Sequence, residues 1–260
     1  MAWVVFTDLD GTLLDSNYSF EVALDTLSWL ESRDIPVVFC SSKTRAEIEV
    51  IRRKLNNNHP FISENGGGVF IPLGYFNNIR GRIVNSYLVI ELGVRYEKLR
   101  EMIKKLERSV GCTITGFGDL DVEQIASLTG LGVEEAVLAK KREYDEPVIV
   151  EPSECVEKVI EEARAMGLYV VRGGRFLHIN GNSDKGKAVE TLKKLYRQKF
   201  GEIKTIGLGD APNDIPLLKS VDYPIMVRNV DIPDLPNLIR TSSSGPHGFC
   251  EGIMKVLGGM

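Results

Sequence analysis

The sequence predicts an α/β protein, a Rossmann-like parallel-sheet core with an inserted α+β module. Three observations carry this. Apolar runs alternate with helical stretches near the N-terminus and again from Lys185 onward. The middle of the chain instead mixes helices with hairpin-like strands. Two carboxylate-rich turns, around Asp8 and around Asp210, each follow a short apolar run. That places them at the carboxyl ends of buried strands, where open α/β sheets bind ligands.

Residues 4–8 are too short and too β-rich for a helix and read as a buried strand. Gly11 breaks that strand where the chain must turn. Residues 20–32 are mostly apolar at Val22, Leu24, Leu27, Trp29 and Leu30, which predicts an amphipathic helix. Residues 35–40 read as a second buried strand, 46–55 as a helix and 61–63 as a short strand leading into Glu64-Asn65-Gly66-Gly67-Gly68. This β-α-β-α-β order argues for a parallel sheet with helices on its faces. The glycines at 66–68 would either let backbone approach a ligand or simply bend the chain. Further on, 87–92 reads as a strand, 96–109 as a charged amphipathic helix and 113–117 as a strand. Polar helices follow at 121–128 and 133–142, then a strand at 148–151 and a helix at 154–166. Residues 168–172 and 176–180 read as a hairpin around Gly173-Gly174. The α/β pattern returns with a helix at 186–198, a strand at 203–208, a short helix at 214–220 and a strand at 223–227. The expected division is a core of residues 1–83 and 181–260 around an insert of 84–180.

The composition is ordinary for a globular protein, with 43% hydrophobic and 26% charged residues. Net charge is −4 with no basic block, so neither nucleic acid nor a membrane surface is favoured as a partner. No apolar run approaches the ~18 residues of a membrane span. The N-terminus reads as a strand rather than a signal peptide, which predicts a cytoplasmic protein. Cys40, Cys112, Cys155 and Cys250 are scattered with no Cys-x-x-Cys pair, so free or buried thiols are expected.

Chemistry concentrates at Thr7-Asp8-Leu9-Asp10-Gly11-Thr12. Two carboxylates one residue apart repel, and a cation between them relieves this. An all-oxygen site suits Mg²⁺. An EF-hand is excluded, because loop position 12 counted from Asp8 is Ser19 rather than Glu. The run resembles the Asp-x-Asp-Gly-Thr nucleophile loop of the haloacid dehalogenase superfamily. The resemblance implies that Asp8 attacks phosphorus, and that Asp10 protonates the leaving oxygen and later activates water. Ser41, in Cys40-Ser41-Ser42-Lys43, is similar to the family's second motif and would bond a phosphoryl oxygen; a helix N-cap is its other reading. Many relatives carry Thr-Gly-Arg where this chain has Ser41-Ser42-Lys43. Lys185 matches the third-motif lysine, with Lys187 as the alternative. Gly209-Asp210-Ala211-Pro212-Asn213-Asp214 is similar to the fourth motif. It implies Asp210 as a direct metal ligand beside Asp8 and Asp10, Asp214 as a ligand through water or a support, and Asn213 as a phosphate contact. The implied reaction is Mg²⁺-assisted hydrolysis of a phosphate monoester.

Substrate choice must lie in the insert, since the core motifs speak only to phosphate. The insert resembles the cap of the Cof-type sugar phosphatases. Three runs are similar to the mannosyl-3-phosphoglycerate phosphatase family: Arg142 to Pro147, Gly173 to His178 and Gly245 to Phe249. That implies a phosphorylated sugar as the small-molecule partner. Arg142 or Arg175 would pair with a carboxylate, and Glu143, His178 and Asn180 would bind sugar hydroxyls. A broad Cof-type sugar phosphatase, a phosphomannomutase-like phosphotransferase and a silent sugar-phosphate sensor are the competing expectations.

Overall fold

The first apolar run becomes the middle of the larger sheet. Val4, Val5 and Phe6 are fully buried, as a strand covered on both faces requires. They lie in β1 (Ala2–Thr7) of a computed structural model that describes residues 1–173, 176–228 and 235–259. The chain continues through α1 (Leu24–Glu31), β2 (Val37–Cys40), α2 (Arg45–Lys54), β3 (Phe61–Ser63), β4 (Gly68–Pro72), β5 (Arg82–Val84) and β6 (Tyr87–Glu91). Next come α3 (Tyr96–Val110), β7 (Thr113–Gly116), α4 (Val122–Thr129), α5 (Val133–Ala139), β8 (Asp145–Glu151), α6 (Val156–Ala165), β9 (Tyr169–Arg172) and β10 (Leu177–Asn180). The last part holds α7 (Lys185–Phe200), β11 (Ile203–Gly209), α8 (Ile215–Lys219), β12 (Tyr223–Met226), β13 (Ile239–Arg240) and α9 (Gly245–Leu257).

Among the described residues the strands form a larger and a smaller sheet. The larger runs β13-β12-β11-β1-β2-β3-β4-β6-β5. It is parallel from β13 to β3 and antiparallel from β4 outward. Successive residues point to opposite faces, so Val5, Val37 and Phe39 pack with Leu30, Phe249 and Ile253 on one side. Val4, Phe6 and Val38 pack with Ala188, Leu192 and Leu217 on the other. Each buried Val, Leu, Ile or Phe among them contributes roughly 1.5–3 kcal/mol. The smaller sheet, β7-β8-β10-β9, is antiparallel throughout. Leu99 and Ile103 of α3 and Val159 of α6 cover it through Ile114, Val150 and Ile179.

Several elements differ from the sequence reading. β6 begins inside the expected insert yet hydrogen-bonds to β4 of the larger sheet. Val89 packs against one face of that sheet's core, and Leu88 and Ile90 border the other. β4, β5, β13 and α9 were not anticipated. β4 is masked in the sequence by the preceding glycines, although Val69-Phe70-Ile71 is a buried-strand signal. The expectation of free thiols is corrected in part: Cys112 and Cys155 form a disulfide, while Cys40 and Cys250 are free. The bridged residues stand 43 apart in sequence. Antiparallel pairing of Thr113 with Glu151 brings the ends of β7 and β8 together. Among the described residues no helix is long and apolar enough to cross a membrane.

Candidate active site

Parallel pairing of β1 with β11, Thr7 opposite Leu208, carries the loop after each strand to one sheet edge. The Asp8 amide continues the ladder, donating to the Leu208 carbonyl at 2.9 Å. One carboxylate oxygen each from Asp8, Asp210 and Asp214 lies within 4.8 Å of the others.

Lys185 opens α7 beneath them and is buried. Its Nζ donates to Asp8 Oδ1 and to Asp214 Oδ1, each at 2.6 Å. Burial disfavours the ammonium, but Asp214 and Asp8 outweigh it and hold the Lys185 pKa above its ordinary value. Burial pushes Asp8 well above the usual carboxylate range; Lys185 opposes this, and Asp214, Asp210 and Asp10 add to it. Asp210 is pushed up to about 6, first by burial and then by Asp214. Fully ionised, three carboxylates against one ammonium carry an excess of two negative charges, a repulsion that adds to burial in raising Asp8 and Asp210. A divalent oxygen-seeking cation fits that imbalance.

The donor set divides by which oxygens are already engaged. Asp214 Oδ2 accepts from the Asp210 and Ala211 amides, each at 3.1 Å, and Lys185 takes its other oxygen. Asp214 therefore holds the Asp210 turn and Lys185 in place. Asp8 and Asp210 keep oxygens for a metal. Thr12 Oγ1 donates to Asp210 Oδ1 at 3.3 Å. Gly11 lets the turn close over this group: its φ is +73°, and a Cβ there would lie 2.2 Å from Asp210 Oδ2.

Of the four aspartates expected at a metal, Asp10 is outside the group. Its carboxylate pairs with Lys43 Nζ at 3.0 Å and is 44% exposed. The cause is the tight turn after β1, where the Thr12, Leu13 and Leu14 amides all converge on the Leu9 carbonyl. That turn directs Asp10 toward the start of α2.

A cavity of about 580 Å³ opens above these residues. Asp8, Asp10, Ser42, Asn65 and Asn213 line it on one side, and Arg172, Gly173 and His178 on the other. Ser41 is fully buried, and its Oγ accepts from the Lys43 amide at 3.2 Å. Its neighbour Ser42 reaches the cavity. The N-cap of α2 is Thr44, which forms a capping box with Glu47. Lys187 lies outward, bonded to Asn182.

The insert residues separate clearly. His178 lines the cavity, with Nδ1 2.9 Å from Asp145 Oδ1. Arg142 does not face the cavity. It donates to Asp145 Oδ1 at 2.5 Å, the Asp145 carbonyl at 3.0 Å and the Ser42 carbonyl at 3.2 Å. Its side chain is 3% exposed. The expected carboxylate contact is therefore corrected to an internal role, because those acceptors occupy the guanidinium. Glu143 accepts from Arg45 Nε at 2.7 Å. Asn180 is fully buried, and its amide nitrogen donates to the Gly181 carbonyl at 2.7 Å. Neither lines the cavity. Arg175 lies outside the described residues.

Arg142→Met is expected to lower folding stability by about 3–5 kcal/mol, since it strands Asp145 and Glu64 without their buried cation. Denaturant unfolding checks this, and a change under about 1 kcal/mol would refute the internal role.

Sequence reasoning passed over Lys43, Ser42, Glu64, Asn65, Asp145 and Arg172. Ser42 and Lys43 directly follow Ser41 in the sequence. Glu64 and Asn65 carried a local signal, a polar pair between a buried strand and three glycines. Asp145 lies within the Arg142 to Pro147 run without standing out from it, and Arg172 carries no signal.

Comparison with known proteins gives consistent results. The family model described as haloacid dehalogenase-like hydrolase matches residues 5–115 and 150–232. A Methanococcoides burtonii protein named glucosyl-3-phosphoglycerate/mannosyl-3-phosphoglycerate phosphatase is 45% identical, covering 99% of this chain and 98% of its own. A Pyrococcus horikoshii protein named mannosyl-3-phosphoglycerate phosphatase is 40% identical over 87% of this chain and 91% of its own. The crystal structure of a haloacid dehalogenase-like hydrolase from Bacteroides thetaiotaomicron aligns with a TM-score of 0.70 at 18% identity. That alignment covers 99% of this chain and 100% of the other, and it speaks to the fold.

Proposed function

The chain belongs to the haloacid dehalogenase-like hydrolases, and on that premise we propose that it hydrolyses mannosyl-3-phosphoglycerate to mannosylglycerate and phosphate. The observation that carries the chemistry is Lys185 bridging Asp8 and Asp214 directly beneath a cavity roofed by the insert. The names of its relatives support the substrate.

In this reading an Asp8 oxygen attacks phosphorus. The bond from phosphorus to the glycerate oxygen breaks, and Asp10 donates a proton to that oxygen. Asp10 then takes a proton from water as the water oxygen attacks phosphorus. The bond to Asp8 breaks, releasing phosphate. Lys185 offsets charge on Asp8 and the transferring group. Ser42, Asn213 and the turn carrying Ser41 face the phosphoryl oxygens. His178 and Arg172 face the rest of the ester. Asp8 and Asp210 would hold Mg²⁺, which would supply neutralising charge for the phosphoryl oxygens. A cytoplasmic setting belongs to the same proposal, in keeping with a charged substrate that does not cross a bilayer unaided.

A second reading is that the glucosyl ester is accepted as well, favoured by the double name of the 45% identical relative. Phosphate release from both esters, beside glucose, fructose and mannose phosphates, separates the possibilities. The expected result is a preference of at least about 100-fold in kcat/KM for one or both glycosyl phosphoglycerates, abolished by a chelator and restored by Mg²⁺. Equal rates on simple hexose phosphates would defeat the substrate assignment.

A further inference from the structure

The loop after β3 is built in a way the phosphatase reaction does not require. Glu64 and Asn65 both adopt left-handed backbone, with φ of 49° and 54°. Such conformations are costly away from glycine and persist where surroundings enforce them. Glu64 is fully buried. It belongs to the core, yet its carboxylate accepts from three successive amides of the insert. The distances are 2.9 Å from Glu143, 2.8 Å from Tyr144 and 2.8 Å from Asp145. Arg142 Nε stands 3.5 Å away. Three converging amides form an anion-binding concavity, here filled by a side chain from the other part of the molecule.

The next residue links this joint to the cavity. Asn65 Nδ2 donates to Asp145 Oδ2 at 3.1 Å, and Asp145 Oδ1 holds His178 Nδ1 at 2.9 Å. The glycines that follow are explained by the same joint. A Cβ on Gly66 would lie 2.1 Å from the Asp184 carbonyl, and one on Gly67 2.3 Å from Tyr144 Cβ. The loop is thus pressed between the start of α7, which carries Lys185, and the insert strand that carries Asp145.

We propose that Glu64 is a positioning residue for substrate recognition, fixing the 143–145 segment so that Asp145 presents His178 to the cavity above Asp8. This rests on the glycosyl phosphoglycerate reading. Burial pushes Glu64 up to about 7, and Arg142 and the Tyr144 and Glu143 amides work against that rise by favouring the ionised acceptor.

The test compares Glu64→Gln, His178→Ala and the double variant on mannosyl-3-phosphoglycerate and on p-nitrophenyl phosphate. The small aryl ester has no sugar or carboxylate for His178 to meet. For Glu64→Gln, KM for the glycosyl ester is expected to rise on the order of tenfold with kcat within about twofold. Turnover of p-nitrophenyl phosphate stays within about twofold of wild type. The double variant is expected to be no worse than His178→Ala alone. Equal losses on both esters, or additive losses in the double variant, would overturn the proposal. If Glu64→Gln does not fold, Glu64→Asp, which keeps the charge but shortens the reach to the three amides, is held to the same pattern and decides in the same way. A wild-type protein inactive on the glycosyl ester overturns the substrate reading, and this inference falls with it.

Discussion

Asp8→Asn is expected to lower kcat by at least about 10⁴-fold while leaving the protein folded. Asparagine keeps the shape and one oxygen for Lys185, which stands 2.6 Å from Asp8 Oδ1. It removes the proposed nucleophile and one negative charge of the acidic cluster. The stability change has a definite sign. Asp8 has a folded-state pKa raised well above its ordinary value by burial. A carboxyl raised on folding loses stability as pH climbs from the unfolded pKa through the folded one. At neutral pH its ionisation therefore works against folding, despite Lys185. The variant is accordingly expected to melt no lower than wild type in metal-free buffer at pH 7. Phosphate release and thermal unfolding measured together check both halves. An inactive variant that melts well below wild type would mean that Asp8 serves the fold before the chemistry. Retained turnover would remove Asp8 as the nucleophile.

How much of this was legible depended on whether the signal was local. Val4 to Phe6 and Asp8 sit in one short run, so strand, turn and clustered carboxylate were legible together. The same holds for Ile206 to Asp214. Lys185 was legible only through its likeness to a family motif, because nothing near it in sequence shows that it will lie between Asp8 and Asp214. Arg142 illustrates the limit. A lone arginine in a polar stretch reads equally as a surface group or a ligand. Its burial is decided by Glu64, 78 positions earlier, and by the Ser42 carbonyl, 100 positions earlier. Asp10 shows a subtler case. Its identity was legible, but its direction depends on three amides closing on Leu9 and on Lys43 arriving from another element. The disulfide joins residues whose proximity exists only once β7 and β8 pair.

Lys185→Met is expected to cost about 3–5 kcal/mol of folding stability at neutral pH without metal, and about 10³-fold in kcat. Methionine approximates the length of the side chain and removes the charge. Two carboxylates that each lay 2.6 Å from the ammonium then face each other in a buried site. Lys185 has a folded pKa above its unfolded value, so its contribution is fully present below the unfolded pKa and is lost only in strong alkali. At pH 5 to 8 the wild type keeps all of it. In the variant, Asp8 loses the partner that lowers its pKa. Its ionisation then opposes folding more strongly, so the gap between variant and wild type is expected to widen from pH 5 to pH 8. The excess negative charge of the cluster rises from two to three. Mg²⁺ is therefore expected to raise the melting temperature of the variant more than that of the wild type. Lys185→Arg is not expected to rescue activity, because the side chain has no exposure into which a larger head group can move. Denaturant unfolding at two pH values, with and without Mg²⁺, reads all of this at once. A gap that stays constant with pH and is indifferent to Mg²⁺ would mean that Lys185 acts by packing, and that the carboxylates are held apart by their backbone turns alone.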